Sequence, residues 1–114
     1  MHVKYDPAVD MLYVHLADLP VHETQKCQPG VYADLNYYSG ELSQLVGVEI
    51  FNFSEHIAWG IVPPAEEMNA AVVSIMKSTN RAIGNGDWIQ LEVKWAKWGT
   101  LSVHFDAAFA IPLN

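Results

Sequence analysis

The chain has 114 residues and a mass of 12.7 kDa, room for one hydrophobic core rather than two. Apolar residues supply 51% and charged residues 17%, which excludes a compositionally disordered chain. Thirteen acidic against six basic residues leave a net charge of -7, which argues against nucleic acid or an anionic membrane as the main partner, since both need a basic surface.

The N-terminus has no charged segment followed by an apolar run, so no secretory signal is read there. Residues 2–5 form a short β-like segment that Asp6-Pro7 ends with turn chemistry. Residues 11–16 alternate: Leu12, Val14 and Leu16 share one face, and Met11, Tyr13 and His15 the other. Residues 18–29 are polar and bounded by prolines, as in a loop or an irregular edge. A second strand is expected over 30–35 and a third over 45–53, with Ser39-Gly40 as a hairpin turn between them. These segments predict a small antiparallel meander.

A short helical turn is expected within 54–59, and Pro63-Pro64 breaks the chain. Behind the break, Met68, Ala71, Val72, Ile75, Met76 and Thr79 fall at helical spacing. Glu66 and Glu67 at one end, and Lys77 and Arg81 at the other, complement a helix dipole. The spacing predicts one main helix over 65–83, stopped by Gly84-Asn85-Gly86. In the tail, Ile89, Leu91, Val93 and Trp95 alternate with polar residues. Residues 96–99 then read as a hairpin loop, residues 101–105 as a strand, and 107–113 as an apolar tail that packs. The fold expected is α+β in a single domain: an antiparallel sheet of five to seven strands with the helix packed on one face. No stretch is long and apolar enough to span a bilayer. Cys27 is the sole cysteine, so no internal disulfide forms, and a reducing cytoplasm suits it.

The first half carries a patterned series: Tyr5-Asp6-Pro7, then Asp10-Met11-Leu12-Tyr13-Val14-His15-Leu16, Pro29-Gly30-Val31, Asp34, and Gly47-Val48-Glu49-Ile50. Over residues 1–53 it resembles the small bacterial proteins of domain of unknown function 2283. Their pattern is Tyr-Asp-x-x-x-Asp-x-Leu-Tyr-Ile-x-Leu, then Pro-Gly-x-x-x-Asp, then Gly-x-Glu-Ile. The resemblance brings no established chemistry and does not extend to the last 60 or so residues. By analogy with some relatives it implies the acidic member of a toxin–antitoxin-like pair. Physically the motif reads as a folding device, with Asp6 capping backbone donors and Pro7 setting φ.

Five histidines, His2, His15, His22, His56 and His104, show no metal-ligand spacing, and no metal or cofactor is expected. His104 and Asp106 share one strand face, and His15 and Tyr13 another; these four are the candidates for a pocket between sheet and helix. The plainer reading makes them ordinary surface side chains. Asp6, Asp10, Asp34 and Glu49 could pair as acid and base, or simply cap turns and solvate a face. Lys26 beside Cys27 could lower the thiol pKa slightly, but no catalytic arrangement accompanies it. Trp88 and Trp98, expected opposite the apolar face or in the loop, are candidates for a binding surface.

Residues 1–67 hold ten acids and two lysines, whereas 68–114 hold three acids and four bases. This split, with no catalytic motif, favours a non-enzymatic protein-binding module with a basic partner and a homodimeric state. The alternative is a small ligand-binding protein or enzyme using the His/Asp/Tyr pocket.

Overall fold

A computed structural model describes residues 1–37, 43–79 and 87–106. In chain order it contains β1 (His2–Asp6), β2 (Met11–His15), β3 (Glu23–Gln28), β4 (Val31–Asn36), β5 (Gln44–Phe51), α1 (Phe53–His56), α2 (Ala65–Met68), β6 (Val72–Thr79), β7 (Asp87–Trp95) and β8 (Gly99–Asp106). Two antiparallel sheets result, a five-stranded one in the order β1-β2-β5-β4-β3 and a three-stranded one in the order β6-β7-β8.

The larger sheet is not the simple meander that the chain order suggests. β5 inserts between β2 and β4, so two hairpins, β1–β2 and β3–β4, are joined through the most apolar strand. Leu45, Val46, Val48 and Ile50 are buried along it, and burial on this scale favours a central strand over an edge. A bulge shifts the β4–β5 register between Asp34 and Leu35. The carbonyl of the extra residue, Val46, accepts from Leu16 N at 2.9 Å and Ala17 N at 3.0 Å. The polar segment 18–29 contains an edge strand, β3, with its own register shift between Lys26 and Gln28.

The main helix expected over 65–83 is not formed. α2 is one turn, and Val72–Thr79 is a strand paired residue by residue with β7, from Val72↔Lys94 to Thr79↔Asp87. The apolar positions that suit a helix also suit a strand: Val73 and Ile75 face the core, while Val72, Ser74 and Met76 are exposed. β-Branched Val72, Val73 and Ile75 keep their preferred rotamers in a strand, and β7 supplies a ladder of partners. Lys77 therefore lies on a strand and complements no helix dipole. Arg81, the expected stop at 84–86, the turn at Ser39-Gly40 and the apolar tail 107–113 lie outside the described residues. Eight strands and two short helices among the described residues replace the five to seven strands and one helix expected.

Apolar residues of both sheets form one buried cluster: Val14, Ala33, Val48 and Ile50 from the larger sheet meet Leu91, Val93 and Val103 from the smaller. β6 runs beside β1, and β8 beside β3. Aromatic rings tie the halves together. Phe53, fully buried on α1, lies 5.5 Å from Tyr5 and 5.7 Å from Trp95 between ring centroids. Trp95 in turn meets Trp59 edge-to-face at 5.7 Å and donates its indole N–H to the Met68 carbonyl at 3.0 Å. Gly99, at φ 147°, leaves its side-chain space to the Trp59 ring, 2.7 Å from where a Cβ would stand. No helix among the described residues is long and apolar enough to cross a membrane.

Candidate functional site

The family-like aspartates near the N-terminus divide by role. Asp6 Oδ1 accepts the Ala8 N–H at 3.0 Å and closes the β1–β2 turn. Asp10, at φ 51°, accepts from the Tyr5 hydroxyl at 2.6 Å and from both the backbone N–H and the hydroxyl of Ser54. Its own carbonyl takes the Phe53 N–H at 2.9 Å. Burial works to raise the Asp10 pKa, but the bonds from Ser54 and Tyr5 outweigh it and hold the carboxyl below its usual range. Burial and the bond to Asp10 push the Tyr5 phenol up to about 12. Asp6 thus closes the first hairpin and Asp10 fastens it to α1, both structural tasks.

Asp34 and Glu49 are brought together. They project from β4 and β5 onto the outer face of the larger sheet, away from the shared core. Cross-strand register lays a row over all five strands: Lys4 (β1), Tyr13 (β2), Glu49 (β5), Tyr32 (β4) and Lys26 (β3). The next row holds His2, His15, Gly47, Asp34 and Thr24. Asp34 is only 4% exposed and accepts from Thr24 Oγ1 at 2.7 Å. Burial, a hydrogen bond to Asp34 and the negative charge of Asp34 push the Glu49 pKa up to about 7. Glu49 therefore keeps its proton to near neutrality beside the Asp34 carboxyl.

Gly47 makes room for this arrangement. A Cβ there would meet the Tyr13 hydroxyl and stand 2.8 Å from Tyr13 Cζ, so the bare glycine lets the ring lie flat over the strand. Burial, then the Asp34 and Glu49 charges, raise the Tyr13 pKa. His15 stands on the same face, stacked on His2 at 4.6 Å, with Nε2 2.7 Å from Asp18 Oδ1. Glu49, titrating near neutrality between a second carboxyl and a phenol, can exchange a proton or receive a cation. It lies on an open sheet face rather than in a cleft.

The other sequence candidates lie elsewhere. His104 is exposed on the outer face of the smaller sheet, opposite Gln90, and Asp106 ends β8 in register with Trp88. His104 does not join Tyr13 and His15, because the two sheets turn their outer faces in opposite directions, and the helix that was to roof the pocket is β6. Trp88 is half-buried on that outer face, its indole N–H enclosed without a partner among the described residues. Trp98 donates its indole N–H to Glu67 Oε2 at 2.7 Å. Burial raises the Cys27 pKa, so Lys26 does not activate the thiol. His22 stacks on Tyr37 at 5.9 Å and accepts its backbone N–H. No group of three or more His, Cys, Asp or Glu among the described residues is placed to hold a metal ion. Sequence reasoning missed Tyr32, Thr24 and Glu67. The alternation of Tyr32 with Asp34 was the available signal for the first.

Residues 2–54 match a family model described as a protein of unknown function (DUF2283). The matched segment comprises all five strands of the larger sheet and ends at Ser54, which anchors Asp10. No curated protein and no solved structure matches the chain significantly.

Proposed function

We propose that this chain is a non-enzymatic binding module whose outer five-stranded face receives a basic segment of a protein partner. The observation that carries this reading is the Lys4–Tyr13–Glu49–Tyr32–Lys26 row, with Glu49 at its centre and buried Asp34 in the row beside it. An arginine or lysine laid on the centre meets a carboxyl pair flanked by tyrosines, the residue types that interfaces favour for large area at low entropy cost. The net charge of -7 speeds encounter with such a partner. An antitoxin-like role with a basic toxin-like partner is the form the family analogy gives this reading. A homodimer would present two such faces.

The incoming cation takes the place of the proton that Glu49 holds beside Asp34. Binding therefore releases a proton, and it tightens as pH rises through 7. The test is tagged capture from the native host with native mass spectrometry of the eluate, run in parallel with Asp34→Asn and Glu49→Gln. A 1:1 or 2:2 complex with a basic protein, weakened by both variants and below pH 6, supports the reading. A complex indifferent to both variants, or only self-association, overturns it.

A further inference from the structure

A second place on the molecule, independent of the sheet face, carries a ligand chemistry of its own. The β7–β8 hairpin closes with Trp98 N donating to the Trp95 carbonyl at 3.2 Å, and its tip folds back on α2. Between them lies a pocket of about 180 Å³ lined by Glu67, Ala70, Trp95, Ala96, Lys97 and Trp98. The half-buried Trp98 indole, the Glu67 carboxylate and the Lys97 ammonium are its accessible functional groups; Trp95, 2% exposed, lies behind them, and the two alanines keep the remaining walls short.

The walls are held before any ligand arrives. Trp95 is pinned through its indole N–H to the Met68 carbonyl and by edge-to-face packing with Phe53 and Trp59. Trp98 holds Glu67 through Oε2 at 2.7 Å. The other oxygen, Oε1, faces the Lys97 ammonium at 3.6 Å, a loose pair whose lysine is 80% exposed. Such an exposed pair is weak, and its ammonium is readily displaced. The protein's own cation thus stands at the mouth beside an oxygen that a second cation could take without disturbing the Trp98 bond.

We infer that this pocket binds a small free organic cation of the methylated-ammonium type, its charge on Glu67 Oε1 and its methyl groups against the Trp98 indole. Aromatic walls favour a weakly hydrated ammonium over a bare primary one. The size agrees: a cavity of roughly 150 Å³ holds a molecule of about benzene's bulk, whereas drug-sized ligands occupy about 300–1,000 Å³. A single headgroup fills the recess.

The experiment uses the full chain labelled with 15N, titrated with choline at fixed ionic strength and read at the tryptophan indole N–H resonances. Saturable shifts of the Trp98 and Trp95 signals are expected, with Trp88, on the far side of the smaller sheet, unmoved. The neutral isostere 3,3-dimethylbutan-1-ol should bind at least about tenfold more weakly, as should choline to Glu67→Gln. Lys97→Ala should bind choline as tightly as the parent or more tightly, because a competing ammonium is gone. That variant keeps the proposal testable if Glu67→Gln does not fold. Equal response to the neutral isostere, no saturation in both parent and Lys97→Ala, or binding only to phosphatidylcholine vesicles overturns the inference.

Discussion

The carboxyl pair makes a quantitative demand on stability. In the unfolded chain Glu49 ionises near 4.5, and in the fold its pKa is pushed up to about 7 by burial and by Asp34. A raised carboxyl pKa means that the folded state holds the proton more tightly than the unfolded one. The stabilisation is complete below the unfolded value and is lost as pH rises through 7. At about 1.36 kcal/mol per pH unit the whole rise would be worth at most ~3 kcal/mol. Glu49 is partly exposed, and solvent screening reduces this to about 1–2 kcal/mol. Glu49→Gln keeps a donor for Asp34 and removes the ionisation. Urea unfolding followed by tryptophan fluorescence at pH 5, 6, 7 and 8 should show the variant gaining about 1–2 kcal/mol on the parent between pH 5 and pH 8. The histidines and other carboxylates titrate in both proteins and cancel in the difference. Two stability curves that stay parallel over this range would refute the raised Glu49 pKa.

Three further outcomes follow from the same geometry. Gly47→Ala should cost about 1–3 kcal/mol by forcing the Tyr13 ring off the strand, and in a Tyr13→Ala background the cost should vanish; chemical denaturation of the four proteins of this cycle measures it. Asp10→Ala should cost about 1–2 kcal/mol by orphaning the Ser54 N–H and the Tyr5 hydroxyl, and Asp10→Asn less, because asparagine tolerates the positive φ. Because the Asp10 pKa is lowered, the parent's margin over Asp10→Asn should shrink as pH falls through the usual aspartate range, a trend visible in thermal melts. Phe53→Ala should cost about 3–5 kcal/mol, since the ring is fully buried between Tyr5 and Trp95, and near-UV circular dichroism should show the tryptophan environment loosening.

Much of the local architecture was legible in the residues. The alternation at Leu12 and Val14, at Ile89, Leu91 and Val93, and at Leu101, Val103 and Phe105 places the same side chains in the core that the structure buries. Asp6 and Asp10 read as turn-capping residues, and both cap. Asp34 and Glu49 were singled out separately, yet nothing in their spacing says that they touch. Their meeting depends on the β4–β5 register and its bulge. The space that Gly47 leaves is taken by the Tyr13 ring, supplied by a strand more than thirty residues earlier.

The sequence by itself determined the β character of β1, β2, β4, β5, β7 and β8, the acidic balance of the first half and the turn chemistry that joins β1 to β2, because each follows from neighbours within a few residues. Tertiary structure decided three things. It made 72–79 a strand rather than a helix, since those apolar positions satisfy both periods until β7 offers its hydrogen bonds. It put β5 at the centre of the larger sheet, where two hairpins could bury its apolar run. It also set Asp34 against Glu49 and Glu67 against Trp98, pairings that exist only after distant segments dock. Local patterning encodes which faces must be covered; only packing selects what covers them.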